Sequence, residues 1–259
     1  MPAFEMINEN IGRLKIPFED IFTTVFLIKT EEGAVLFDTA TYPSDADEYI
    51  VPALYAAGVD ANSIAYIVIS HSHRDHAGSL ARLLEVYPDV TVVARSEKLR
   101  DESKAAKWII PDDKTEICGV LRAVMMTGHS PDSMGILDTR TKTLVSGDSL
   151  QLYGIFGSGK WGANIPFPNE HLAVLEKLRL MDIESVFASH DYHSLGWRAD
   201  GHDAVLAYYA ECEKAIYDIR DFMGAYQQLD DSAIAEMYNS TSGKPRVGDR
   251  VFKAIRALL

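Results

Sequence analysis

Only two cysteines occur in 259 residues, Cys118 and Cys212. They lie far apart and neither has a neighbour at metal-knuckle spacing. That excludes a disulfide framework and leaves two reduced thiols. No apolar run approaches the roughly 20 residues that span a bilayer. Residues 1–20 lack a basic stretch leading into an apolar core, so no secretory leader is expected, and the expected compartment is the cytoplasm. Positive charge is scarce too: 25 Lys and Arg against 38 Asp and Glu leave a formal charge of −13. Such a surface repels phosphate backbones and anionic lipid, which argues against nucleic acid and membrane partners. Low-complexity segments and short-period repeats are absent.

What is present is ordinary globular material, 47% hydrophobic and 10% aromatic, enough for a substantial core and too apolar for a disordered chain. Residues 23–29 and 34–38 are β-rich runs joined by Thr30-Glu31-Glu32-Gly33, a hairpin-like link. A helix is expected over 44–57, stopped by Gly58. The continuous apolar run 64–70 reads as a buried strand, 75–87 as a helix ending before Pro88, and 90–94 as a strand. Further strands are expected at 121–126, 134–138, 143–145 and 185–188. Helices are expected over 169–181 with Asn169 as N-cap, over 202–228, and over 246–259. The order suggests a loosely duplicated α/β layout. Residues 153–168 (YGIFGSGKWGANIPFP) read as a long loop with its own aromatic anchors.

Chemistry concentrates in His71-Ser72-His73-Arg74-Asp75-His76, directly after the strand 64–70. Alternate residues of extended chain face the same way, so His71 and His73 can point at one ion. The turn into the following helix swings Asp75 and His76 toward a neighbouring point. One short segment can thus serve two metals. Buried without a metal, three histidines and an aspartate would demand many hydrogen-bond partners, because unpaired buried polar groups cost several kcal/mol. His129, Asp148 and His190 each follow an expected strand end after a small-residue turn, where ligands in α/β folds collect. Of the other histidines, His171 reads as a helix surface residue, and His193 and His202 as solvated loop positions. Asp191 stands beside His190, where it either orients a ligand or caps a turn.

The set His71, His73, Asp75, His76, His129, Asp148 and His190 resembles the ligand set of the metallo-β-lactamase superfamily, and Asp38 in Phe37-Asp38-Thr39 resembles its early aspartate, which supports the metal loop from behind. The resemblance spans about residues 20–195. It implies an α/β fold, a four-layer αββα sandwich of two mixed sheets flanked by helices. The whole chain, 1–259, is then one such domain, with 201–259 a helical C-terminal extension packed on it. It further implies that His71, His73 and His129 hold one metal, that Asp75, His76 and His190 hold a second, and that Asp148 bridges them. Two divalent ions are expected, zinc first, with iron or manganese open because the donors are all nitrogen and oxygen.

The activity implied is hydrolysis of an ester, thioester or lactone bond of a small molecule by a metal-bridging hydroxide. From its position alone, Asp75 is expected to steady the hydroxide and pass a proton to the leaving group. Tyr153, Phe156 and Trp161, shortly after Asp148, are the candidate substrate-binding residues. His73 stands where the flavodiiron branch carries glutamate, which argues against that electron-transfer chemistry. Glyoxalase II-like thioesterases grip glutathione with a basic C-terminal region, whereas the tail here carries Glu211, Glu213, Asp218, Asp221, Asp230, Asp231 and Glu236. A mononuclear iron persulfide dioxygenase-like enzyme is the alternative within chemistry. A phosphodiesterase and a non-catalytic metal-stabilised binding protein stand further off. The sequence leaves a homodimer open.

Overall fold

A computed structural model describes residues 2–60, 63–152, 154–156, 161–242 and 246–258, with backbone only at 154–156 and 161–163. The chain divides into two compact units, Met1–Met125 with Met134–Thr139, and Met126–Ser133 with Arg140–Leu259.

The first unit carries a seven-stranded sheet in sequential order: β1 (Glu5–Met6), β2 (Ile11–Phe18), β3 (Ile21–Thr30), β4 (Gly33–Phe37), β5 (Ile64–Val68), β6 (Thr91–Val93) and β7 (Lys107–Ile109). Strands β1 to β4 are antiparallel, and Thr30 pairs with Gly33 across the expected hairpin. From β4 to β7 the pairing is parallel, which requires a crossover at each step. Those crossovers are helical. The first runs through α1 (Pro43–Asp45), a π-helical turn (Ala46–Ile50) and α2 (Val51–Ala56). The second uses α3 (Arg74–Ala77) and α4 (Leu80–Val86), and the third α5 (Glu97–Ser103). Alternate strand residues Val25 and Leu27, Ala34 and Leu36, Ile67 and Ile69 pack with Ile50, Leu54, Leu80 and Leu83 into one core. Phe26, Ile28, Val35, Phe37 and Val68 on the opposite face are buried too, which is why β3 to β5 read as continuous apolar runs. The unit also contains β8 (Glu116–Ile117), β9 (Leu121–Met125) and β10 (Met134–Asp138), an antiparallel series.

In the second unit β11 (Thr143–Val145) pairs in parallel with β14 (Ser185–Phe187), which pairs antiparallel with β15 (Arg198–Asp200). Between β11 and β14 the chain runs through strands β12 (Gly154–Phe156) and β13 (Trp161–Ala163), then α6 (Pro168–Arg179). The C-terminal region is helical: α7 (His202–Ala225), α8 (Asp231–Thr241) and α9 (Asp249–Arg256). Ile216, Ile219, Met223, Ile234 and Phe252 from these three helices share a core. Asp230 caps α8 by accepting from the Ala233 N–H at 2.8 Å. Among the described residues no helix is long and apolar enough to cross a membrane.

Three expectations need correction. The helix over 75–87 is broken at Gly78 and Ser79; there Gly78 lies so close to the Thr41 carbonyl that a Cβ would overlap it, and its N–H, besides the helical bond to Arg74, donates to the Ala40 carbonyl at 2.8 Å. Residues 153–168 are not one irregular loop: β12 and β13 pair antiparallel with Phe156 opposite Trp161. Asn169 is not an N-cap. The helix begins one residue earlier, with Pro168 at its first position, where the missing N–H costs nothing, and Phe167 as its cap.

Candidate metal centre

In the first unit the site grows from two neighbouring parallel strand ends. Phe37 and Val68 are paired at the carboxyl ends of β4 and β5. The next residues turn toward each other: the Asp38 N–H donates to the Val68 carbonyl, and the Ser70 N–H donates to Asp38 Oδ1 at 2.7 Å. Asp38 adopts φ +66° to make this turn, a left-handed conformation that short polar side chains tolerate best. The Ser70 hydroxyl donates to Asp38 Oδ2 at 2.9 Å, and His76 Nδ1 donates to the same oxygen at 2.7 Å. Burial raises the pKa of Asp38, and His76 with the Ser70 donors offsets only part of that rise.

These bonds fix two imidazole tautomers. His76 spends its Nδ1 proton on Asp38. Ser70 has given its own proton to Asp38, so His71 Nδ1, 3.0 Å from Ser70 Oγ, must be the donor of that contact. Both rings therefore present Nε2 with a lone pair, the form a metal takes. His71 Nε2 lies 2.9 Å from His73 Nδ1, and His76 Nε2 lies 3.4 Å from Asp75 Oδ2. His71 and His76 are buried, Asp75 is half-buried and His73 is exposed.

The loop holding these ligands is tied down at its carbonyls. Thr23 Oγ1 donates to the Asp75 carbonyl at 2.6 Å. Thr39 donates to the His76 carbonyl through both its N–H, at 2.7 Å, and its hydroxyl, at 3.0 Å. Ser79 Oγ donates to the Tyr42 carbonyl. None of these supports, nor Ser70 and Gly78, stood out in the sequence beyond their nearness to the motif.

The second unit repeats the device. Val145 and Phe187 are paired at the carboxyl ends of β11 and β14, and the chain continues to Asp148 and His190. The Ser146 N–H donates to the Phe187 carbonyl and the Ser189 N–H to the Gly147 carbonyl, which locks the two turns together. Asp148 directs Oδ1 to His190 Nε2 at 3.5 Å and Oδ2 to His129 Nε2 at 3.8 Å. Its two oxygens thus serve two different histidines. His129 Nδ1 donates to the Asn164 carbonyl at 2.7 Å, again leaving Nε2 outward. The His190 ring stacks on Tyr192, centroids 4.7 Å apart. His129, Asp148 and His190 are all buried.

Within each unit the donor set fits metal ions. Two ligands about 2.0–2.1 Å from one tetrahedral ion sit roughly 3.4 Å apart, close to the separations of His76 from Asp75 and of His190 from Asp148. The ligand atoms of His71 and His73, of Asp75 and His76, and of Asp148 and His190 each lie within 4.8 Å of one another.

Other histidines depart from expectation. His171 is buried on α6, its ring against Gly128, which adopts φ +148° and has no room for a Cβ. Burial first, and His129 second, push its pKa down to about 4. A polar helix start hid this burial from the sequence. His193 is buried as well, stacked on Tyr208 with centroids 3.5 Å apart, while His202 is exposed as expected. Both cysteines are buried and neither is in a disulfide. Tyr153 lies outside the described residues. For Phe156 and Trp161 only the backbone is described.

The family model of the metallo-beta-lactamase superfamily matches residues 19–190. The chain belongs to that superfamily and has its fold, two mixed sheets with helices and a C-terminal helical region. It is 30% identical over 167 residues to the uncharacterized protein YobT of Bacillus subtilis, covering 55% of this chain and 69% of YobT. It is 29% identical over 128 residues to a hydroxyacylglutathione hydrolase of Francisella philomiragia, covering 49% of each. It is 41% identical over 106 residues to the flavo-diiron protein FprA2 of Clostridium acetobutylicum, but that is 36% of this chain and 26% of FprA2. Other relatives are likewise spanned only in part, 40% of one from Pestalotiopsis microspora and 61% of one from Caenorhabditis elegans. Among solved structures, the metallo-beta-lactamase family protein TTHA1429 of Thermus thermophilus aligns with TM-score 0.71 at 14% identity, over 96% of this chain and 93% of that one. The flavodiiron protein of Giardia intestinalis aligns with TM-score 0.65 at 22% identity, over 83% and 59%.

Proposed function

We propose that this protein is a metal-dependent hydrolase of a small-molecule ester, thioester or lactone. His71, His73 and His129 would hold one divalent ion, Asp75, His76 and His190 a second, and Asp148 would bridge them. The observation that carries the reading is the anchoring of Nδ1 on three buried histidines. His71 is held by Ser70, His76 by Asp38 and His129 by the Asn164 carbonyl, so each Nε2 is a ready ligand. Two such ions, when bound, lower the pKa of water from 15.7 toward about 7 and supply hydroxide at neutral pH.

The chain's own groups do the rest. Asp38 holds the His76 ring, and Asp75, partly open to solvent, is placed to take a proton and hand it to a leaving group. The β12–β13 hairpin begins six residues after Asp148, and with Tyr153, Phe156 and Trp161 we assign it the apolar wall of the substrate site. A thioesterase of Emericella nidulans and the Francisella hydrolase are relatives whose names fit this class. Zinc is the expected metal. Likeness to flavo-diiron proteins supports iron as the other choice, although His73 replaces that branch's glutamate.

The test is a panel of lactone, thioester, phosphodiester and persulfide substrates, run on native, chelated and zinc-restored protein with oxygen uptake monitored. The expected result is hydrolysis of a carboxylic ester class, lost on chelation and regained with zinc, without oxygen consumption. Oxygen uptake with a persulfide substrate, or a covalent acyl adduct on the chain by mass, contradicts it.

A further inference from the structure

We infer that Gln151 is a positioning residue for His129. Its side-chain carbonyl joins the Asn164 backbone carbonyl in accepting the Nδ1 proton, which keeps the Nε2 lone pair for a metal ion. The inference deepens the metal-centre reading and rests on it in one respect, that Nε2 faces an ion.

His129 Nδ1 has two close neighbours, the Asn164 carbonyl oxygen at 2.7 Å and the end of the Gln151 amide at 2.8 Å. A carbonyl only accepts, so Nδ1 carries the proton. An amide NH2 aimed at that nitrogen would set two donors face to face. The oxygen and nitrogen of a glutamine amide are told apart only by their hydrogen-bond partners. Turning the amide by a half-turn brings Oε1 to the Nδ1 proton. With Nε2 toward His129, Gln151 Oε1 is buried and has no hydrogen-bond partner among the described residues, whereas the half-turn gives that oxygen the Nδ1 proton.

Gln151 is 4% exposed and follows Asp148 by three residues, so the segment carrying the bridging carboxylate also carries the His129 support. Its N–H donates to the Asp148 carbonyl at 3.4 Å, closing that turn. Asp38 does the corresponding work for His76 in the first unit. A neutral amide serves His129, whose other acceptor is a backbone carbonyl. Acceptors behind a metal-bound imidazole are worth 10- to 100-fold in metal affinity.

The experiment combines histidine-selective 15N NMR with zinc competition against a chromophoric chelator, on wild-type protein and on Gln151→Met and Gln151→Glu. Expected first is the Nδ1–H tautomer of His129 in both metal-free and zinc-loaded wild type. Gln151→Met, of similar length and with only a weak thioether acceptor, should bind zinc 10- to 100-fold more weakly at an unchanged melting temperature. Gln151→Glu, which accepts and does not donate, should restore wild-type affinity. An Nε2–H tautomer in the metal-free protein overturns the inference. So does a Gln151→Met protein with wild-type zinc affinity, or a Gln151→Glu protein as weak as Gln151→Met. If Gln151→Met fails to fold, the Gln151→Glu affinity still decides, a value 10-fold or more below wild type overturning the inference. If wild type binds no zinc, the metal-centre reading fails, and the His129 tautomer in Gln151→Met against wild type decides this inference: a smaller Nδ1–H fraction in the variant supports it and an identical one overturns it.

Discussion

Asp38 accepts a hydrogen bond from His76 Nδ1 at 2.7 Å, 38 residues away in sequence, and both side chains are fully buried. The same carboxylate accepts from the Ser70 N–H and hydroxyl, so one acid at the end of β4 orients both His76 and, through Ser70, His71. Asp38→Ala leaves those donors buried without an acceptor, at about 1–3 kcal/mol each. Zinc affinity should fall 10- to 100-fold. Chelator competition and urea unfolding check this, and unchanged values in both would show that Asp38 does not support the ligands.

Asp148 points separate oxygens at His129 and His190. If it bridges, Asp148→Asn should lower the occupancy of both ions rather than one, because each loses a charged ligand. Elemental analysis of the variant reads this directly. Loss of one ion with full retention of the other would restrict Asp148 to a single site.

Gly78 is required by packing rather than by backbone angle, because its Cβ would overlap the Thr41 carbonyl. Gly78→Ala should destabilise by about 1–3 kcal/mol or more, since neither backbone segment can yield easily. The shift would also displace the His76 carbonyl from Thr39, so zinc affinity should fall with stability. A wild-type denaturation midpoint would show that the loop accommodates a methyl group.

Both nitrogens of His193 are committed: Nε2–H donates to the Tyr208 carbonyl at 3.1 Å, and Nδ1 accepts from the Leu195 N–H at 3.1 Å. Burial pushes its pKa from the usual 6.5 down to about 4, against the pull of the Tyr208 carbonyl. In the unfolded chain it takes up a proton below pH 6.5, whereas the folded protein resists until about 4. Stability should therefore fall as pH drops through that window, by up to about 3 kcal/mol from this residue. His193→Asn should flatten the slope of unfolding free energy against pH between 6.5 and 4 by about one proton. An unaltered slope would place the titration elsewhere.

The ligand motif was legible because its spacing carries the geometry: alternation puts His71 beside His73, and the turn after it redirects Asp75 and His76. Strands β3, β4 and β5 were legible because both faces are buried, so the code is simple. Strand β2 was not, since Gly12, Arg13, Lys15 and Pro17 interrupt the apolar pattern although Arg13 is itself buried. The break at Gly78, the burial of His171 against Gly128 and the enclosure of His193 by Tyr208 depend on segments distant in sequence. Local periodicity holds no trace of such contacts. Gln151 was silent for the same reason, because its meaning comes from His129, 22 residues earlier.

The central claim is that this chain works as a two-metal hydrolase. It is tested most directly by the metal-to-chain ratio of fully active protein, titrated from the metal-free state while hydrolysis is followed. The account predicts that activity rises to its maximum at two ions per chain and that Asp148→Asn never reaches it. Full hydrolytic activity at one tightly bound ion would contradict the claim.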